Sequence, residues 1–219
     1  MSKLILKFRQ KNTCCTISVL LLLCCNYFFA QEKVIAYNDR LDLGTVPKDT
    51  HFDLRGNSLQ KQLKGNEINQ YVFSAVGNYT IKVVEKKHQP ISCNHAHFPK
   101  EINLRVSRIK MTFDANRVTF SKPIIKNMET KGTILTIPIT IETADRLPAA
   151  LNKTPISVAG IGSSIVAILD QSIQELPEGT HLLRYALNGI VTQNSYLMFD
   201  FVDANGQIQS VSLASPVKN

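Results

Sequence analysis

The sequence of 219 residues contains no tryptophan and only five cysteines, four of which lie within the first 25 residues. Without tryptophan, a carbohydrate-binding sandwich would lack the exposed indole platforms on which sugar rings commonly stack, and tyrosine would have to serve instead. The composition therefore lowers the expectation of a lectin without excluding one. Because Cys93 is the single thiol after residue 30, an internal disulfide framework is excluded for residues 31–219.

The excess of positive over negative charge is small after residue 30, and long apolar runs are scarce there. The first 30 residues carry four basic side chains and no acidic one, so the formal net charge falls from +8 for the whole sequence to +4 for residues 31–219. This modest excess argues against a nucleic-acid binder or a polybasic membrane binder. No later apolar run approaches the roughly 20 residues that a spanning helix needs, so we expect no membrane span in the mature chain.

The N-terminal segment has the order of parts of a secretory signal peptide. A basic start over residues 1–11 precedes an apolar core from Ser18 to Cys25, and Asn26–Ala30 leads into polar Gln31. A basic region, a short apolar core and a cleavage region in this order are typical of export signals. The pattern predicts a signal peptide over residues 1–30, cleaved after Ala30.

Two other fates of this segment stay open. An uncleaved anchor is disfavoured because the apolar core is shorter than the roughly 20 residues of a membrane span, although bulky Phe28 stands where a small residue usually precedes a cut. Lipid attachment at Cys24 or Cys25 would need small residues before the cysteine, where the sequence has Leu22 and Leu23. The ending Phe-Phe-Ala-Gln at residues 28–31 resembles export signals common in Bacteroidota envelope proteins. That resemblance implies the periplasm, the outer cell surface or the medium.

Residues 31–219 have the pattern of an all-β protein. Short runs rich in Val, Ile, Thr, Phe and Tyr alternate with Gly, Pro, Asn and Asp about every ten residues, as in β-sandwiches. The clearest strand covers residues 133–143, where apolar residues alternate with polar ones and so share one face. Pro138 cannot donate a ladder hydrogen bond, which predicts an edge position or a bulge there.

A hairpin is predicted near the C-terminus. Residues 196–202 and 207–213 alternate in polarity around Asn205-Gly206, whose preference for positive φ predicts a type I′ turn. Of the neighbouring aromatic residues that could serve recognition, Phe199 and Phe201 share an apolar face and are expected in the core, whereas Tyr196 is not on that face. Further strands are predicted at 34–37, 51–55, 71–73, 79–84, 102–113, 118–120, 180–187 and parts of 156–169. A helix is an alternative for 156–169, weakened by its glycines.

The stretch Phe73-x-x-x-Gly77-x-Tyr79-x-Ile81 resembles a strand ending found in immunoglobulin-like and polycystic-kidney-disease-like modules. The resemblance implies two immunoglobulin-like β-sandwich modules, which we place at residues 31–106 and 107–219. Cupredoxins share the glycine-tyrosine pattern, and that likeness implies copper ligands among His51, Cys93 and His95 or His97. The match departs from cupredoxins because Cys93 lies far beyond Gly77 and because the next methionine, Met111, falls in a predicted strand.

The residues best suited to a binding site for a metal are Cys93, His95 and His97. In an extended segment these alternate positions project from one face, and a thiolate with two imidazoles suits Zn²⁺ or copper. His88 could supply a fourth ligand, and His51 is a more distant candidate. The alternative is a buried thiol with solvated histidines, because no second Cys or His pair completes the pattern. Zinc or copper is the only cofactor that the sequence suggests.

Catalytic patterns are weak. Gly160-Ile-Gly-Ser-Ser164 has the wrong order for a nucleophile elbow and indicates a turn at a strand end. The carboxylate pairs Asp200 with Asp203 and Glu175 with Glu178 flank predicted turns. We therefore predict no enzymatic activity. The sequence favours an exported, non-catalytic binding or structural protein of a bacterial envelope, with a protein or glycan partner. The alternative is a metal-binding periplasmic protein that uses the Cys-x-His-x-His segment.

Overall fold

The fold is seen in a computed structural model that describes residues 32–84, 98–213 and 217–218. In these residues the chain forms nineteen β-strands and one short α-helix, and the predicted all-β sandwich fold is confirmed. Two separate clusters of buried apolar side chains lie on either side of Arg108 in the sequence.

The first unit contains seven strands and the helix among its described residues. They are β1 (Lys33–Ala36), β2 (Asp39–Arg40), β3 (His51–Gly56), β4 (Leu59–Lys64), α1 (Glu67–Gln70), β5 (Val72–Phe73), β6 (Gly77–Val84) and β7 (Glu101–Ser107). One sheet has the order β1-β7-β6-β3-β4, with β1 parallel to β7. The short β2–β5 ladder covers it, because the rings of Phe73 and Tyr79 pack edge to face at 5.3 Å.

Alternation builds this unit as the sequence predicts. Phe52 and Leu54 of β3 are fully buried, whereas Asp53 and Arg55 lie on the opposite face, where they form a 2.8 Å ion pair. Strand β4 was not predicted, because its Lys- and Gln-rich sequence lacks a strand pattern. It forms because Asn57 and Ser58 have positive φ values of 46° and 61°, which suit a two-residue hairpin turn.

The second unit is formed by the remaining described strands. They are β8 (Ile109–Phe113), β9 (Thr119–Phe120), β10 (Ile124–Ile125), β11 (Ile134–Thr143), β12 (Ala149–Ala150), β13 (Ile156–Ala159), β14 (Val166–Leu169), β15 (Glu175–Leu176), β16 (Gly179–Asn188), β17 (Leu197–Val202), β18 (Ile208–Leu213) and β19 (Val217–Lys218). The main ladder has the order β18-β17-β13-β14-β16-β11-β8. Residues 156–169 thus form two strands, and the helical alternative is wrong.

This ladder folds over on itself. The first half of β13 pairs with β14 and the second half with β17, so β13 passes from one layer to the other. Phe201 of β17 then stacks on Phe113 of β8 at 5.2 Å between ring centroids. Phe199 and Phe201 are fully buried, as predicted. The two layers enclose one apolar core.

The predicted edge position of Pro138 is wrong, because β11 is an interior strand. It pairs with β16 on one side and with β8 and β9 on the other. Pro138 lies between the residues paired to β8 and those paired to β9, and its carbonyl accepts a hydrogen bond from Asp114 N at 2.9 Å. The missing N–H of proline is tolerated because the neighbouring strand is interrupted there.

The β17–β18 hairpin is confirmed, but its turn is not of type I′. Gly206 alone in the turn has positive φ, at 78°. Gly206 N donates to Asp203 O at 3.1 Å, and Asp203 N donates to Gln207 O at 2.9 Å. These bonds define a type I turn closed by a left-handed glycine.

Only Arg108 separates β7 from β8, so the predicted strand over 102–113 is two strands in different sheets. Ser107 O accepts from Tyr37 N at 2.9 Å, and Ile109 O accepts from Asn205 Nδ2 at 2.8 Å. The Ser107 hydroxyl also hydrogen-bonds the Asn205 side chain. We call this region the joint. The predicted boundary after Val106 and the immunoglobulin-like detail of both modules stay predictions.

Candidate binding surface

The predicted metal ligands Cys93, His95, His97 and His88 lie outside the described residues. His51, the more distant candidate, is exposed at the start of β3 and is paired in register with Val84. Within residues 32–84, 98–213 and 217–218, no group of three or more His, Cys, Asp or Glu side chains is arranged to hold a metal ion.

The carboxylates considered for catalysis bind neighbouring main-chain and hydroxyl groups. Glu178 accepts from Thr143 N at 2.7 Å, and Asp200 accepts from the Ser210 hydroxyl at 2.5 Å. Asp203 is buried and accepts from the N–H groups of Asn205 and Gln207, each at 2.8 Å. Burial raises the pKa of Asp203, while these hydrogen bonds lower it in part. The Glu178 contact lies at the end of β11, the Asp200 contact joins paired residues of β17 and β18, and the Asp203 contacts lie in the turn between these two strands.

A second group of residues converges at the end of the second unit farthest from the joint. Ile109 at the joint pairs with Thr143 at one end of β11, so the Ile134 end points away from the joint. Three loops meet there: 121–133, which contains the two-residue strand β10, 160–165 and 189–196, next to β19. We call their exposed face the distal surface.

Main-chain hydrogen bonds hold the three loops together. Asn127 N donates to Val191 O at 2.7 Å, Thr192 N to Gly162 O at 3.0 Å, and Ser164 N to Ile190 O at 2.9 Å. Gly162 has φ of +70°, and a Cβ there would clash with the Thr192 hydroxyl. The loop 189–196 is thereby fixed between the other two. The predicted turn after β13 is confirmed, because Ser163 N donates to Gly160 O at 3.1 Å.

Each loop presents one large apolar side chain to solvent. Met128 is 56% exposed, Ile161 is 61% exposed and Tyr196 is 58% exposed. The loops 160–165 and 189–196 otherwise contain mainly Gly, Ser, Thr, Asn and Gln beside partly or fully buried Ile and Val. Exposed aromatic anchors among small polar residues characterise binding loops carried on a β-sandwich, and rigid scaffolds commonly hold binding residues on loops.

The distal surface is positively charged. Its basic residues are Lys122, Lys126, Lys131 and Lys218, and its one acidic residue is Glu129. Loops 160–165 and 189–196 carry no charged side chain. Among the ion pairs that the described residues form, none involves these four lysines or Glu129. The lysine charges are therefore available to an external partner.

The sequence matches no protein-family model, no curated protein and no solved structure. Among the described residues, no helix is both long and apolar enough to cross a membrane. The candidate binding surface is therefore identified from the geometry and charge of this protein alone.

The sequence predicts parts of this surface without joining them. Alternation places Tyr196 off the apolar face of its strand, and the glycines of residues 160–164 indicate a turn. Met128 and the lysines carry no strand or motif signal. The available signal is composition, since 189–196 combines Gly, Ser, Thr, Asn and Gln with one tyrosine. Long-range strand pairing, which sequence periodicity does not report, brings the three loops together.

Proposed function

We propose that this protein is an exported, non-catalytic binding or structural component of a bacterial envelope, and that the distal surface is its binding site. The observation that carries the proposal is that Met128, Ile161 and Tyr196 are all exposed on three loops that main-chain hydrogen bonds hold together. Isolated exposed apolar residues are ordinary on a protein surface, whereas clustered ones mark interaction sites. The signal-like residues 1–30 support export.

The first unit supports an immunoglobulin-like organisation within this proposal. Its main sheet has the strand order β1-β7-β6-β3-β4, with β1 parallel to β7. The short β2–β5 ladder packs against one face of this sheet. The Tyr79 hydroxyl donates to Ala75 O at 2.8 Å, a contact of the tyrosine-corner kind. In this proposal the first unit is a structural or spacing module, and the second carries the binding loops.

Binding of the purified mature protein to isolated envelopes of the native host tests the proposal. We expect wild type to sediment with the envelopes and the variant Ile161→Ser with Tyr196→Ser to remain in solution. The matched control is Leu182→Ser with Ile208→Ser, since these side chains are 60% and 63% exposed but lie off the distal surface. Equal sedimentation of the two double variants would refute the proposed site.

Export has its own test. The intact mass of the native protein should correspond to residues 31–219, with Gln31 free or cyclised to pyroglutamate. A mass that begins at Met1, or one that includes lipid on Cys24 or Cys25, would contradict the proposed processing.

Metal binding is the second candidate function, and the position of His51 favours it. His51 pairs with Val84, so it lies at the end of the sheet from which residues 85–97 continue. His88 is four residues beyond Val84, a reach of at most about 14 Å. We expect about one Zn²⁺ or copper ion per protein molecule, reduced by Cys93→Ser and unchanged by His181→Ala. Metal content at background in wild type loaded with either ion would exclude this function.

A further inference from the structure

The arrangement of charge and apolar groups on the distal surface identifies a kind of partner. Met128 lies in the loop that also carries Lys126 and Lys131, and Lys126 N donates to Lys218 O at 2.9 Å. The apolar side chains of Ile161 and Tyr196 project from the two neighbouring loops, which hold no charge. Three apolar tips are thus bordered by lysines.

The opposite end of the second unit has the other sign. Its loops contain more acidic than basic residues, namely Asp145, Asp170, Glu175, Glu178 and Asp203 against Arg146 and Lys153. The small net charge of residues 31–219 therefore conceals a polarised distribution within the second unit. A charged surface that the second unit approached with its distal end first would meet four lysines and one glutamate before it met the acidic end.

We propose that the distal surface docks on an anionic lipid bilayer, with Met128, Ile161 and Tyr196 entering the headgroup region and the four lysines contacting lipid phosphates. This inference rests on the proposed function, because it names the partner of the same surface. Apolar side chains that enter the interface and basic ones that approach anionic headgroups contribute together to peripheral binding. Tyrosine favours the membrane–water interface, and lysine stems reach along apolar surface while their ammonium groups stay in water.

The shape of the surface favours a bilayer over a soluble anion. Met128, Ile161 and Tyr196 are exposed to solvent on loops, whereas small ligands bind in concave sites. Two cavities among the described residues lie elsewhere, one lined by residues 61–63, 67, 70 and 71 and the other by residues 112–117 and 138–140. A planar, deformable surface can accept all three tips at once.

The absence of tryptophan makes a direct test available, because one introduced indole becomes the only one in the protein. The variant Tyr196→Trp should show blue-shifted emission when phosphatidylethanolamine–phosphatidylglycerol vesicles are added. The control Leu182→Trp lies on the exposed face of β16 and should show no shift. Phosphatidylcholine vesicles should leave both spectra unchanged, and inorganic phosphate should not displace Tyr196→Trp from the anionic vesicles.

Variants of the lysines and variants of the apolar side chains then separate the electrostatic contribution to vesicle binding from the apolar one. Each lysine replaced by glutamine should weaken binding to anionic vesicles about fivefold, so Lys126→Gln with Lys218→Gln should weaken it about 25-fold. The control Lys64→Gln with Lys82→Gln makes the same change in net charge on the first unit and should have little effect. Met128→Ser with Ile161→Ser should weaken binding about tenfold at unchanged charge. Circular dichroism of every variant should match wild type.

The outcomes separate this inference from the function on which it rests. Sedimentation with native envelopes but not with anionic vesicles would overturn the lipid inference and leave a protein or glycan partner for the distal surface. Failure to bind either would overturn both proposals. Vesicle binding that is equal for both pairs of lysine variants would overturn the assignment of this surface. Binding that follows the distal lysines and apolar tips is the result we expect.

Discussion

At Tyr79 one hydroxyl group fixes the turn that leads into β6. The ring is buried, and the hydroxyl donates to Ala75 O at 2.8 Å. Asn57 Nδ2 approaches the same hydroxyl at 3.4 Å and hydrogen-bonds Val76 O. Burial raises the pKa of Tyr79, so the hydroxyl remains a donor to higher pH than that of an exposed tyrosine. The turn before β6 is thereby tied to the β3–β4 hairpin.

Tyr79→Phe should therefore lower the free energy of unfolding by about 1 kcal/mol, because it removes the part-buried hydrogen bond to Ala75 O. The midpoint of urea unfolding, followed by far-UV circular dichroism, measures the loss. Tyr196→Phe is the control, since Tyr196 is exposed, and it should change stability by less than about 0.5 kcal/mol. Equal effects at the two positions would show that the hydroxyl contact is not the cause.

Asp203 links a buried charge to the pH dependence of stability. Burial raises its pKa, so the folded state holds a proton more tightly than the unfolded state does. In the unfolded state an Asp titrates at about pH 3.9. The contribution of the protonated carboxyl to folding is present at lower pH and is lost as pH rises through the folded pKa. Raising the pH across this range therefore removes stability at this site.

Asp203→Asn should remove that dependence. The amide oxygen can still accept from the N–H groups of Asn205 and Gln207, but no charge forms on titration. The variant should therefore gain stability relative to wild type as the pH is raised from about 3 to about 6. Urea midpoints of both proteins across this range give the difference, from which the shared titrations of Asp145 and Asp170 cancel. A decrease instead would mean that the hydrogen bonds outweigh burial.

Single residues reveal where sequence reasoning succeeds and where it stops. Phe199 and Phe201 were correctly placed in the core because alternation alone puts one face of a strand inside. Of the two positions predicted for Pro138, an edge or a bulge, the edge is wrong, because the interruption between β8 and β9 that accommodates the proline is a tertiary feature. The type I′ expectation for Asn205 failed for a similar reason, since the Asn205 side chain bonds Ser107 and Ile109 in the joint.

At the scale of elements, side-chain amides close the exposed edge of β8. Asn205 Nδ2 donates to Ile109 O, and Gln209 Nε2 donates to Met111 O at 2.9 Å. Gln209 Oε1 also accepts from Phe113 N at 3.3 Å. The backbone groups of β8 that take part point toward β18 and away from β11. The side-chain amides of Asn205 and Gln209 therefore supply hydrogen bonds that β11 does not make. An edge protected in this way is less open to pairing with another polypeptide.

Gln209→Ala should destabilise the second unit by about 2 kcal/mol, because a backbone donor and a backbone acceptor lose their partners. It should also speed hydrogen exchange at the Phe113 amide and promote self-association during heating. Mass-resolved hydrogen exchange and light scattering measure the two effects. Gln207→Ala keeps the backbone bonds of the hairpin and should leave both unchanged. An unchanged Phe113 amide in Gln209→Ala would refute the closure.

Elements also differ in how well their sequences define them. Long alternating strands such as β11 and β17 were predicted because one apolar face suffices to identify them. Strand β4 was missed because its residues are mostly Lys and Gln, and a strand at a sheet edge needs little apolar character. The distal surface was missed as a unit because Met128, Ile161 and Tyr196 lie on loops brought together by distant strand pairings.

In the whole molecule, the joint connects the two units through contacts from both sides. Lys110 Nζ lies 2.7 Å from Asp39 Oδ1, joining β8 to β2, and Arg108 donates to Asp145 at 2.9 Å. The hydrogen bond from the Lys110 ammonium group to the Asp39 carboxylate raises the pKa of Lys110. Independent modules would leave an accessible connection, whereas these contacts hold the connection within paired strands.

Trypsin therefore provides a test of the whole molecule. Native protein should resist cleavage after Arg105, Arg108 and Lys110, because Val106, Ser107 and Ile109 are buried and their backbone is hydrogen-bonded, so that cleavage requires local unfolding. Cleavage after exposed Lys131, in a loop of the distal surface, should come earlier and serves as the internal control. Mass spectrometry of a time course assigns the sites.

Asn205→Ala removes the side chain that bonds both Ser107 and Ile109, so it should hasten cleavage after Arg108 while the rate of cleavage after Lys131 stays constant. Early separation of wild type into residues 31–108 and 109–219 would show that the joint opens freely and that the two units move independently.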